Sequence, residues 1–248
     1  KWATELNIQP PQVPEYRVQE LKQLVYDKAE QLKHVYMAGG EPLLMKENLE
    51  LLEILKQKNP NVNLRVNTNL SKTGTKVFER ICEFPNVHWT ISVDEMEQEF
   101  EYIRYGGVWQ DFLDNLEVIE QLDHKITFNM LHHLLNYRSL FDTINFFKHR
   151  GFQNNSFVVG SLLGPDHLNA RHLPDNMLNL VKTDISAWLD KKPGYLLEDG
   201  LRNVLQYISS PINKRIDLCL EQITKIDQRR GIDSRKIFTE FYNSLERQ

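Results

Sequence analysis

Cysteine is nearly absent from this chain. Cys82 and Cys219 are the only two in 248 residues, which excludes a disulfide framework and any metal site or cluster needing three or four cysteines of this chain alone. So low a count suits a reducing compartment, and a cytoplasmic protein is expected. Long hydrophobic runs are missing as well: no apolar stretch nears the roughly 18 residues of a membrane span, and no leader of the charged-then-apolar kind is present. No membrane partner is expected. A basic surplus is also lacking, since 30 Lys+Arg against 34 Asp+Glu give a formal charge of -4. Such a chain carries no net field for condensing on nucleic acid. Neither low-complexity tracts nor internal repeats interrupt it.

What is present is the composition of a globular protein, 41% hydrophobic and 26% charged, with a mean hydropathy of -0.49. A chain of this length buries roughly three quarters of its unfolded surface and needs no staples. Residues 16–32 place Val18, Leu21, Leu24, Val25, Ala29 and Leu32 on one helical stripe, and HVYMAGGEP follows as a short strand stopped by a Gly pair and a Pro. The alternation then repeats. A helix over 47–58 precedes a strand over 62–68; Thr75 caps a helix bearing Val77, Phe78 and Ile81, and VHWTISVD is the next strand. Trp109, Phe112, Leu113, Leu116, Ile119 and Leu122 form one apolar face over more than three turns. KITFNMLHHLL, a helix over 139–151 ending at Gly151, and the strand SFVVGSLLG complete the series.

Short strands alternating with longer helices are βα units, joined by right-handed crossovers into a parallel sheet. Beyond Gly164 the texture turns helical: LPDNMLNLVKTDISAWLDKKPG reads as one helix, and Lys191-Lys192-Pro193-Gly194 as a linker. Ile212, Ile216, Cys219, Ile223 and Ile226 line a later helix that ends at Gly231. Two domains are therefore expected, 1–190 and a helical cap over 191–248.

In parallel α/β folds the functional groups gather at the carboxyl ends of strands. Here every strand ends in polar or small residues: Gly39-Gly40-Glu41-Pro42, then Asn67-Thr68-Asn69, then Ser92-Val93-Asp94, then Asn129 and His132, then Ser161. That rim suits a polar ligand. Two glycines admit close backbone approach, a glutamate supplies negative charge, and a proline stiffens the turn. Adjacent residues on a strand face opposite ways, so His132 and His133 do not chelate one ion, and no metal ligands are assigned.

The GGEP turn after VYMA resembles the motif by which radical S-adenosylmethionine enzymes hold the methionine amino group. Other segments match the family in order: NLRVNTNL, HWTISVD, FEYIRYGGVWQDFLDNLEVI and ITFNMLHHLLN. GPDHLNARHLPDNM and ITKIDQRRGIDSRKIFTEFY are similar to a twitch-domain-containing subgroup. The resemblance implies a partial (β/α)6 TIM-like barrel, lacking its first strand and cluster loop, with a C-terminal helical twitch-like cap. It implies that Gly39, Gly40 and Glu41, stiffened by Pro42, contact the methionine amino group, and that Ser92 reaches the ribose or carboxylate. Arg104 would pair with the carboxylate, and Asn67, Asp94 and Asn129 would serve the ribose or substrate. The last strand, through Val159 and Ser161, would meet the adenine by backbone contacts.

The resemblance also implies a 4Fe-4S cluster on three cysteines, with reductive cleavage of S-adenosylmethionine to a 5′-deoxyadenosyl radical that takes hydrogen from a small-molecule or peptide substrate. Electrons would come from a reducing donor. Those cysteines are absent, and Cys82 and Cys219 read as buried structural thiols. The sequence opens on KWATEL, and the resemblance places the first strand and cluster loop upstream of Lys1. The chain is thus expected to be a piece of a longer enzyme and inactive alone. The alternative is a cluster-free, non-catalytic module that binds S-adenosylmethionine or another small ligand.

Overall fold

The structure, a computed structural model, describes residues 15–246. The KWATEL opening lies outside them. Helix α1 (Glu15–Lys28) precedes β1 (His34–Met37), and the chain then runs α2 (Glu47–Lys58), β2 (Asn63–Thr68), α3 (Lys76–Cys82) and β3 (Val87–Ser92). Helices α4 (Glu97–Ile103) and α5 (Trp109–Glu120) lead to β4 (Lys125–His132), and α6 (Leu140–His149) to β5 (Phe157–Ser161). The remainder is α7 (Asp175–Asp190), α8 (Tyr195–Ser209), α9 (Ile216–Arg230), α10 (Ser234–Ile237) and α11 (Thr239–Glu246). No helix among the described residues is long and apolar enough to cross a membrane.

The five strands form one parallel sheet in chain order. Its two faces differ in chemistry. Val66, Trp89, Ile91, Phe128, Met130 and Phe157 share one face and are fully buried. Helices supply the other half of that core: the Phe78 ring of α3 lies 5.6 Å from Trp89, and Phe147 of α6 stacks 4.3 Å from Phe128. Each such side chain contributes about 1.5–3 kcal/mol by leaving water. The opposite face carries Tyr36, Arg65, Asn67, His88, Thr90, Ser92, Thr127 and Asn129. Its polar groups bond one another, Arg65 Nε donating to Thr90 Oγ1 at 3.2 Å and His88 Nε2 lying 2.8 Å from Thr127 Oγ1.

Local signals account for some element ends. Thr75 accepts from the Phe78 amide at 3.1 Å, the N-cap bond expected of it. Gly151 and Gly231 take positive φ of 104° and 65° where α6 and α9 stop. Val108 offers α5 no cap; Glu101 of the preceding helix instead accepts from the Trp109 amide at 2.9 Å. Strand β4 ends at His132, short of the expected Leu135, because Asn136 Oδ1 accepts from the His133 amide at 2.6 Å and turns the chain. Ile212 falls ahead of α9 rather than on its apolar stripe.

The linker residues do separate α7 from α8, yet α8 packs directly on β5. A Cβ on Gly200 would stand 2.4 Å from the Val159 carbonyl oxygen. Only glycine permits that approach. The later helices are tied to the connections beyond β3 and β4. Tyr102 donates to Asp227 Oδ1 at 2.8 Å, Arg230 Nη1 donates to the Tyr102 carbonyl at 3.0 Å, and the Tyr137 and Ser244 hydroxyls lie 2.8 Å apart.

Candidate functional site

The turn after β1 is built by backbone conformation. Gly39 and Gly40 have φ of 92° and 56°, which L side chains rarely adopt, and nothing lies within 4 Å of where their Cβ atoms would be. Both residues are exposed. Glu41, expected to offer its charge to a ligand, spends its carboxylate inside the protein. Oε1 accepts from Thr68 Oγ1 at 2.7 Å and the Leu43 amide at 3.3 Å, and Oε2 from the Asn69 amide at 2.8 Å. Pro42 begins the short 3-10 turn Pro42–Leu44, and its carbonyl accepts from Asn48 Nδ2 at 2.9 Å. Glu41 is thereby a clasp between the ends of β1 and β2.

Asp94 is a second junction. Its Oδ1 accepts from the Leu131 amide at 2.8 Å, its Oδ2 from Arg104 Nη2 at 2.8 Å, and its carbonyl from Asn136 Nδ2 at 3.1 Å. The Asp94–Arg104 ion pair has side chains only 9% and 25% exposed. Arg104 Nε is buried with no hydrogen-bond partner among the described residues. A buried donor of this kind costs about 1–3 kcal/mol unless a ligand accepts from it. Asp94 and Arg104 line a cavity of about 450 Å³ with Asn69, Ser71, Gly106 and Asp111.

The remaining expected residues divide between the two faces of the sheet. Ser92 and Asn129 are register partners on the polar face, half-buried, and Asn67 lies on that face one strand over, with its Oδ1 buried and unpartnered among the described residues. Val159 and Ser161 fall on the opposite face, the helix-covered one. Val159 is buried beneath Gly200, and Ser161 Oγ is buried without a partner among the described residues. The structure thus brings Asp94 and Arg104 together, sets Gly39, Gly40, Asn67, Ser92 and Asn129 along the same strand ends, and turns the side chains of Val159 and Ser161 away from them.

Two buried groups behind this rim were given no role by the sequence. His133 Nδ1 accepts from the Leu135 and Asn136 amides at 3.2 and 3.3 Å, so the proton sits on Nε2, which is buried and unpartnered among the described residues. Burial, then His132 and Arg104, push its pKa down to about 3. Glu95 is 1% exposed, and burial raises its carboxyl well above the usual range; Ser139 Oγ donates to it at 3.0 Å. His133 is therefore neutral at pH 7. The Asn136 turn offers a sequence signal, an Asn four residues beyond the end of the strand; Glu95 offers none.

The radical SAM superfamily model matches residues 5–147, more than half of the chain. The chain belongs to the radical SAM superfamily. Solved structures share its fold. SuiB of Streptococcus suis bound to S-adenosylmethionine aligns over 75% of this chain and 43% of its own, at 10% identity and a TM-score of 0.53. Native anSMEcpe with bound AdoMet aligns over 75% and 56%, at 13% identity and 0.54. The histidine-tagged form of the latter gives 72%, 52%, 13% and 0.55. This chain spans about half the length of those proteins, and at such identities the likeness is one of fold. No curated protein matches it in sequence.

The open Gly39–Gly40 turn and the unpartnered Arg104 Nε fit the ammonium and carboxylate of S-adenosylmethionine. An iron–sulfur cluster does not fit the residues present. Among the described residues no three His, Cys, Asp or Glu side chains converge as metal ligands. Burial pushes both thiols, half-buried Cys82 on α3 and buried Cys219 on α9, up to about 11, and a ligand must be thiolate.

Proposed function

We propose that this chain is the S-adenosylmethionine-binding part of a radical enzyme. The observation that carries the reading is the Gly39–Gly40 turn, left open because Glu41 is committed to Thr68 and Asn69. Its carbonyls accept from the methionine ammonium. Arg104, held in place by Asp94, donates to the methionine carboxylate through Nε, and Ser92 and Asn129 serve the ribose. Glu41 acts by fixing the turn, and Val159 and Ser161 reach adenine through backbone only.

The five-stranded sheet is then part of a (β/α) barrel whose polar face lines the interior, with α9–α11 as its cap and the twitch-like region. A 4Fe-4S cluster, for which the residues present supply no ligands, would provide with a low-potential donor the electron that splits the cofactor into methionine and a 5′-deoxyadenosyl radical, and that radical would take a hydrogen atom from the substrate. This chain's residues bind, orient and shield the cofactor. A cytoplasmic setting suits so oxygen-sensitive a reaction.

The count of two cysteines favours a second reading, a module that binds S-adenosylmethionine without cleaving it. Anaerobic reconstitution of the parent protein with iron and sulfide separates the two. A brown protein that releases 5′-deoxyadenosine on reduction supports the radical enzyme; a colourless protein that binds the cofactor intact supports the module.

A further inference from the structure

A second cavity, of about 740 Å³, lies between α4, the loop after β5 and helix α9. Its volume falls within the roughly 300–1,000 Å³ of small-molecule sites. Its walls are mainly apolar, from Ile103, Pro165, Leu168, Ile223 and Ile226, with His167 and Gln222 among them. Arg229 and Arg230 line it too, and no acidic side chain is among its lining residues.

These two cations are unneutralised. Neither forms an ion pair among the described residues. The acid nearest them on α9, Asp227, is consumed by Tyr102 Oη at 2.8 Å and by the Ser234 amide and hydroxyl at 3.0 and 2.6 Å. Arg229 is exposed, and its one hydrogen bond runs from Nε to the Lys225 carbonyl at 3.2 Å, which leaves the outer fork of the guanidinium open. Arg230 lies over the Tyr105 ring at 4.4 Å and holds the Tyr102 carbonyl. An open guanidinium fork beside an apolar hollow selects an anionic head on an apolar body.

Position ties this cavity to the rim. Ile103 lines both it and the cavity that holds Asp94 and Arg104, and Arg104 is the next residue in the chain.

We infer that the cavity beneath α9 is the substrate pocket and takes an amphipathic anion, its carboxylate or phosphate on Arg229 and Arg230 and its apolar part on Ile223 and Ile226. The role as substrate pocket rests on the radical-enzyme reading; the ligand chemistry does not. The apolar part then reaches Ile103, beside the rim from which the cofactor's radical would act.

Calorimetric titration of the protein with octanoate, octyl phosphate, octanol and octylamine tests this. Either anion should bind at least tenfold tighter than octanol and octylamine, and the tighter of the two tells which head group the site takes. Arg229→Gln should weaken that anion at least tenfold. Ile226→Trp, which fills the hollow without touching the charge, should weaken it as much, and circular dichroism checks that each variant is folded. Anions that bind no better than octanol or octylamine, or that bind both folded variants as they bind the parent, would overturn the inference. S-adenosylmethionine titrated in parallel reads the rim alone. A protein that takes octyl phosphate but no S-adenosylmethionine would sink the function proposed above and leave this ligand class standing.

Discussion

The Glu41 carboxylate accepts the Thr68 hydroxyl at 2.7 Å, across the gap between the end of β1 and the end of β2. A residue whose charge suits a ligand is thus a strut for the turn that faces the ligand. Removing Glu41 frees the Thr68 hydroxyl and the Leu43 and Asn69 amides together. Glu41→Ala should therefore destabilise the fold, and a double-mutant cycle with Thr68→Ala should give a coupling of about 1–2 kcal/mol in urea unfolding. A cycle that sums to zero would mean the clasp is not made.

Arg104 should resist its most conservative replacement. Lysine keeps the charge but lacks the fork that serves Asp94 through Nη2 while leaving Nε for a second anion. Arg104→Lys should lose about tenfold or more in S-adenosylmethionine affinity, about 1.4 kcal/mol. Equal affinity in the two proteins would remove Arg104 from the binding site.

Gly200 tests the packing of α8 on β5. A methyl there meets backbone, the Val159 carbonyl at 2.4 Å, and backbone cannot step aside as a side chain can. Gly200→Ala should cost about 1–3 kcal/mol despite the better helix propensity of alanine. Gly74→Ala, with nothing within 4 Å of its Cβ, should stay within about 0.5 kcal/mol. Matching unfolding midpoints for the two variants would contradict the arrangement.

Stability should depend on pH through two opposed groups. Burial first, then His132 and Arg104, lower His133 from 6.5 to about 3. The unfolded chain therefore binds the extra proton between those values, and stability falls as pH drops below about 6.5. Glu95 is raised above its ordinary 4.5, so the folded state keeps a proton that the unfolded chain loses, and its contribution falls as pH rises past 4.5. In urea melts from pH 5 to 8, Glu95→Gln should gain on the parent protein as pH rises. His133→Asn, which preserves an acceptor for the Leu135 and Asn136 amides, should lose less than the parent on acidification. Parallel pH profiles for all three proteins would refute both assignments.

Much of this was legible in the sequence because it rests on local chemistry. Apolar spacing gave α5, Gly151 marked the end of α6, and the Gly39–Gly40 pair marked a tight turn after β1. Contacts between distant segments were not legible. Nothing local tells that Glu41 will meet Thr68, that Asp94 will meet both Arg104 and Leu131, or that a glycine inside the amphipathic α8 exists to let it touch Val159. The same alternation that made the strands visible sends Val159 and Ser161 to the helix side of the sheet, away from Ser92 and Asn129. Strand ends alone did not separate the two faces.

Titration of this chain with S-adenosylmethionine, beside Gly40→Val and Arg104→Lys, tests the central claim most directly. The account predicts saturable binding that weakens about tenfold or more in each variant, while Gly74→Ala binds as the parent does. Binding that is absent from the parent protein, or that survives both substitutions unchanged, would contradict it.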